Sequence, residues 1–105
     1  MELGRQNYHY LKGNVDLYGA GTNDFTGSAS LKEGTVGAFA DKFNYKVYLK
    51  VEDKKPVRVI ASWYIGCFSI DNTDPELITT NEFEPSEDGT SAAFDWLQRE
   101  YENSL

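Results

Sequence analysis

The sequence predicts an α+β domain: a small antiparallel sheet of three to five strands with one C-terminal helix packed on a face. Two observations carry this. Phe43, Tyr45, Val47, Leu49 and Val51 alternate with Asn44, Lys46, Tyr48 and Lys50, the period-two pattern of a strand with one buried face. Ser86-Glu87-Asp88 then opens a segment in which Ala93, Trp96, Leu97 and Tyr101 fall at helical spacing, the mark of a capped amphipathic helix.

The chain has 105 residues, close to the commonest size of one domain. No linker or repeat divides it, so residues 1–105 read as a single domain. Hydrophobic residues make up 40% and aromatics 14%. The large area each aromatic buries compensates for the short supply of aliphatics.

Residues 7–18 read as strand, with Tyr8, Tyr10, Val15 and Leu17 as strand formers and Gly13-Asn14 as a turn or bulge. Residues 19–35 are small and turn-rich and read as loop with room for one short strand. Val36, Phe39, Ala40 and Phe43 sit at i, i+3, i+4, i+7 and suggest a brief helix. The central hairpin then runs over about 43–52 and 57–70, with Glu52–Pro56 as its turn. Val57, Val59, Ala61, Trp63 and Ile65 form the inward set of the return strand. Gly66 reads as a bulge or a close backbone approach, with the strand bending and continuing through Cys67–Ile70. Asp74-Pro75 is a good cap and first residue for one helical turn through Ile78. Glu82–Pro85 reads as extended. The last helix spans about 87–102, and alanine at Trp96 or Leu97 should be seriously destabilising.

Composition excludes more functions than it suggests. No apolar run is long enough for a membrane helix, and the first residues carry no signal-peptide pattern. A single cysteine rules out an internal disulfide. Cytoplasmic residence is the plain expectation.

His9 and Cys67 are each unique, so no dedicated zinc cluster can be assembled from them. The run Asp71–Glu76 lacks the order of a calcium loop and is better explained as a turn capping the next helix. Cys67 lies in an apolar run where burial makes a thiol inert. No Gly-x-Ser-x-Gly elbow occurs. Gly19-Ala20-Gly21 and Gly34–Gly37 fall short of any nucleotide-binding fingerprint. The expectation is therefore no enzyme, no metal and no cofactor.

Charge is the informative feature. Residues 1–70 carry seven acids and nine Lys/Arg, whereas residues 71–105 carry ten acids and one base, Arg99. The net charge of −7 opposes direct binding to phosphate backbones, although Lys46, Tyr48 and Lys50 share a strand face. Edge lysines that discourage aggregation explain those residues better. Asp88, Asp95 and Glu102 recur every seven residues and line one outward stripe of the helix, where Arg99 can pair with Asp95.

Asp71, Asp74, Glu76, Glu84, Asp88, Asp95 and Glu102 are therefore the candidate partner-binding residues. The expected partner is a basic protein that handles nucleic acid, such as a host nucleic-acid-binding protein or an effector nuclease. The other face of the hairpin, with Tyr48, Ile60 and Tyr64, is the alternative contact surface, for a ligand, a peptide or a second copy in a homo-oligomer. In size, acidity and lack of catalytic groups the chain is similar to nucleic-acid mimics and phage-encoded inhibitors of host defence, anti-CRISPR proteins among them. Composition carries that likeness, and no motif does.

Overall fold

The computed structural model describes residues 2–31, 42–66 and 73–105. Among the described residues, four antiparallel strands form one sheet in the order β1-β2-β3-β4. They are β1 (Phe25–Ser30), β2 (Lys42–Glu52), β3 (Lys55–Gly66) and β4 (Thr79–Phe83). Two short helices, α1 (Tyr8–Lys12) and α2 (Val15–Tyr18), precede the sheet, and α3 (Glu87–Asn103) ends the chain.

The β2–β3 hairpin follows the alternation in the sequence. Tyr45 pairs with Trp63, Val47 with Ala61 and Leu49 with Val59, which places all six on the helix side of the sheet. The turn is tighter than Glu52–Pro56. Asp53 and Lys54 alone close it, with φ of 51° and 64°, the left-handed pair a two-residue hairpin loop requires. Among the described residues a register irregularity falls at Lys50/Val51, and Gly66 is the last residue described in β3. Residues 67–70, expected to extend the strand, lie outside the described residues. So do Val36, Phe39 and Ala40 of the expected short helix, whereas Phe43 is fully buried in β2.

Residues 7–18 are a correction to the strand expectation, because they form α1 and α2. Asn7 caps the first turn by accepting from the Tyr10 N–H. Gly13, at φ 55°, separates the two helices. Leu11 and Val15 are buried and Tyr8 is half-buried, so the side chains that matter recur at three- and four-residue spacing. Tyr8, Tyr10, Val15 and Leu17 invite a strand reading through their residue type, but local capping and that spacing prevail.

Ser86 caps α3, its hydroxyl accepting from the Gly89 N–H at 3.0 Å. The buried side of α3 is made by Thr90, Ala93, Phe94, Leu97 and Tyr101. Trp96 lies off its centre, half-buried and 6.0 Å from the Phe83 ring of β4. Phe94 fills the other flank, 5.7 Å from Phe25. Both rings touch the sheet because the buried arc is centred on Leu97, one helical step of about 100° from Trp96.

The core lies between the sheet and this helical layer. Phe43 stacks on Trp63 at 5.0 Å and meets Tyr101 edge-on at 5.3 Å. The N-terminal segment closes one side, with Leu3 buried in the core and the Tyr45 hydroxyl donating to the Gly4 carbonyl at 2.9 Å. Burial raises the Tyr45 pKa. Among the described residues no helix is long and apolar enough to cross a membrane.

Candidate functional site

The sheet topology sets where the acidic residues fall. β4 is an edge strand, and α3 returns antiparallel to it across the sheet. The described acids of the final third therefore sit on the turn before β4, on β4 itself, just after it and along α3. Asp88, Asp95 and Glu102 are all exposed. They span about 21 Å along the helix at 1.5 Å per residue.

Each carboxylate has its own surroundings. Asp74 accepts from the Glu76 N–H at 3.0 Å and caps the 3-10 turn Pro75–Leu77, while Glu76 is exposed. Asp95 pairs with Arg5 at 3.0 Å, with the same guanidinium 5.8 Å from the Phe94 ring. Arg5, and not Arg99, thus holds Asp95. Glu102 accepts from Gln98 at 3.1 Å. Glu84 and Asp88 are exposed and line one groove together. Asp71 lies outside the described residues.

That groove has a volume of about 510 Å³ and is lined by Arg58, Glu82, Phe83, Glu84, Asp88, Gly89 and Ala92. It exists because α3 starts hard against the preceding turn. A side-chain Cβ at Gly89 would stand 1.9 Å from the Glu84 carbonyl oxygen, so only glycine permits this approach. Glu82 and Arg58 are the charged lining residues that sequence reasoning missed, and Glu87, outside this groove, is a further one. Glu82 appears there only as part of an extended segment. Glu87 Oε2 accepts from the Tyr8 N–H at 3.1 Å, a contact across 79 residues of chain that no local pattern signals.

Among the described residues the hairpin lysines form no salt bridge with these carboxylates. Lys46 pairs with Asp24 at 3.5 Å and Lys50 with Glu52 at 3.4 Å. Lys12, at the end of α1, pairs with Asp16 of α2, and that hydrogen bond raises the lysine pKa. Among the described residues, Asp95 is the one acid of the final third in a salt bridge.

Alternation places Tyr48, Ile60 and Tyr64 together on the sheet face away from α3, with Tyr48 opposite Ile60. Ile60 and Tyr64 are only 4% and 6% exposed. Of the three, Tyr48 retains the most surface, and Lys46 Nζ lies 5.2 Å from its ring centre. His9 is exposed. No group of three or more His, Cys, Asp or Glu among the described residues is placed to hold a metal ion.

No protein-family model, curated protein or solved structure matches the chain. Its functional reading rests on the geometry alone.

Proposed function

We propose that the chain is a non-enzymatic, protein-binding inhibitor or regulator. Its acidic C-terminal surface occupies a basic partner that handles nucleic acid, in the manner of nucleic-acid mimics and phage anti-defence proteins of the anti-CRISPR type. One observation carries the reading. Of the nine described acids between residues 73 and 105, eight are exposed and one is half-exposed, and Asp95 alone is paired with a cation.

Placement adds support. Acids in the first turn of a helix offset its dipole, so Glu87 and Asp88 have a structural use. Glu100 and Glu102 stand at the other end, where negative charge is unfavourable and the last turn holds no basic residue. The Asp88-to-Asp95 rise of about 10.5 Å is close to three nucleotide steps of roughly 3.4 Å along one DNA strand. A surface of this kind accelerates association with a cationic groove and loses hold as salt rises.

The test is affinity capture from a host lysate, with the partner identified by mass. Wild type should retain a basic protein at low salt and release it at about 1 M. The variant Asp88→Asn, Asp95→Asn, Glu102→Gln should fold normally and lose it. Retention unchanged by both salt and variant would refute the proposal.

A further inference from the structure

Residues 3–7 form no helix or strand, yet side chains of other elements hold them in a defined path. The Leu3 N–H donates to Gln98 Oε1 of α3 at 2.8 Å, and the Gly4 carbonyl accepts from the Tyr45 hydroxyl of β2 at 2.9 Å. The Leu3 side chain is buried in the core. At the other end the Tyr8 N–H is held by Glu87 Oε2 at 3.1 Å. Between these anchors the strap stands off α3. A hollow of about 310 Å³ opens there, lined by Arg5, Gln6 and Asn7 of the strap and by Glu87, Ser91 and Phe94 of the helix.

Arg5 makes the contact with α3 on this stretch. Its guanidinium lies 3.0 Å from Asp95 Oδ1 and 5.8 Å from the centre of the Phe94 ring. The middle of the acidic stripe thus already holds a guanidinium, with a carboxylate for its charge and an aromatic ring within cation–π range. Both partners of the ion pair are about half exposed, so water competes for them and the contact is weak enough to exchange. Leu3 and the Tyr45 hydroxyl anchor the strap independently of that pair. They keep Arg5 within reach of Asp95 whenever it lets go, as a short tether keeps a ligand at high local concentration.

We propose that the strap is an internal competitor for the acidic helix: Arg5 occupies the seat on Asp95 and Phe94 that an arginine of the basic partner takes on binding. The idea rests on the acidic-surface reading above and adds its regulation. A partner has to displace Arg5 before it engages the middle of the stripe. A diffusely basic surface that fails to do so is held to the outer carboxylates, whereas one that presents arginine at the seat gains Asp95 as well. The occupant now in place makes arginine the expected ligand, since lysine is a strongly hydrated point charge without a planar group to set beside the ring.

The test is an amide-resolved NMR titration of the whole protein with an acetylated, amidated arginine tripeptide. In wild type the shifts should centre on Phe94, Asp95 and Gln98 and spread into Leu3–Arg5 as the strap's arginine is displaced. Arg5→Gln should keep the fold, because the pair it breaks is exposed, and should bind the peptide about two- to fivefold more tightly. Arg99→Gln removes the same charge one helical turn from Asp95 and should change the affinity little. Asp95→Asn added to Arg5→Gln should cancel the gain. An equal gain in the two arginine variants, a gain that survives Asp95→Asn, shifts that avoid α3 and the strap, or no shifts at all would each overturn the inference. If Arg5→Gln changes nothing while partner capture still falls with salt and with the helix variant, only this inference falls. If Arg5→Gln tightens the peptide but partner capture ignores both salt and the helix variant, the acidic-surface reading falls instead.

Discussion

Replacing Gly89 by alanine sets two physical effects against each other. Gly89 lies in the first turns of α3, where alanine is favoured over glycine by about 1 kcal/mol of helix propensity. On that ground alone Gly89→Ala would stabilise the protein. The structure reverses the sign. The added Cβ would lie 1.9 Å from the Glu84 carbonyl oxygen, 2.7 Å from its carbon and 2.9 Å from its nitrogen. All three are backbone atoms, and no rotamer change relieves them. The helix start must move away from the turn, at a cost of about 1–3 kcal/mol by analogy with overpacked cores. The Ser86 cap on the Gly89 N–H is strained with it, for about 1 kcal/mol more. Subtracting the propensity gain leaves a net loss of about 1–3 kcal/mol. For a domain of this size each kcal/mol lowers Tm by about 4–8 °C. Thermal melts followed by circular dichroism, with urea unfolding beside them, read this directly. Gly66→Ala is the control, because a Cβ there meets nothing within 4 Å, and its Tm should barely move. A Gly89→Ala variant as stable as wild type would show that the turn yields freely, and would refute the claim that this contact holds Glu84 and Asp88 in one groove.

Two further substitutions test the frame around the site. Tyr45→Phe removes the hydrogen bond to the Gly4 carbonyl and should cost about 1 kcal/mol at neutral pH. It should also change the alkaline limb. With its pKa raised by burial, Tyr45 contributes stability that is fully present below the unfolded value of about 10 and is lost as pH rises through the higher folded value. Urea unfolding between pH 8 and 11 should therefore show a shallower decline in the variant, and an unchanged slope would count against the assignment. Lys54→Gly relaxes a left-handed position and should raise stability by up to about 1 kcal/mol, less whatever the lysine stem contributes beside Gly19. A fall in the urea midpoint would show that the stem matters more than the turn.

What the sequence could reveal depended on the range of the forces involved. The β2–β3 hairpin was legible because alternation is a local signal that tertiary packing reinforces at every step from Phe43 to Leu49. The α3 start was legible for the same reason, since Ser86 acts within three residues of itself. The segment 7–18 misled because Tyr8, Tyr10 and Val15 have strand-forming side chains, whereas the deciding interactions were the Asn7 cap and the burial of Leu11. The stripe Ala93, Trp96, Leu97 and Tyr101 omitted Phe94 and included the half-buried Trp96, because spacing alone does not fix where the centre of the buried arc falls. The stripe Asp88, Asp95 and Glu102 was visible as a seven-residue repeat. The groove was not, because Arg58, Glu82 and Asp88 meet only through strand pairing and the close seat of Gly89 on Glu84. Arg5 on Asp95, 90 residues apart, had no signal in the sequence at all.

The C-terminal charge is the part of this sequence that folding explains least. Ser86, Glu87 and Asp88 suit a helix start, and Asp74 suits a capped turn. Nothing comparable accounts for Glu100 and Glu102. A helix selected for stability alone would carry Lys or Arg in its last turn, for about 0.3–1 kcal/mol each. Here that end accepts an unfavourable charge, with Gln98 donating to the Glu102 carboxylate and the Ser104 hydroxyl closing the Glu100 carbonyl. Solubility could use the same carboxylates, but it is indifferent to where they sit. Recognition is not indifferent. A cationic partner would sense the order of the carboxylates along the helix. If the position of Asp88, Asp95 and Glu102 matters to a partner while their number does not, the charge has been placed for contact. If only their number matters, the final third is a solubilising surface and the domain's contact lies elsewhere.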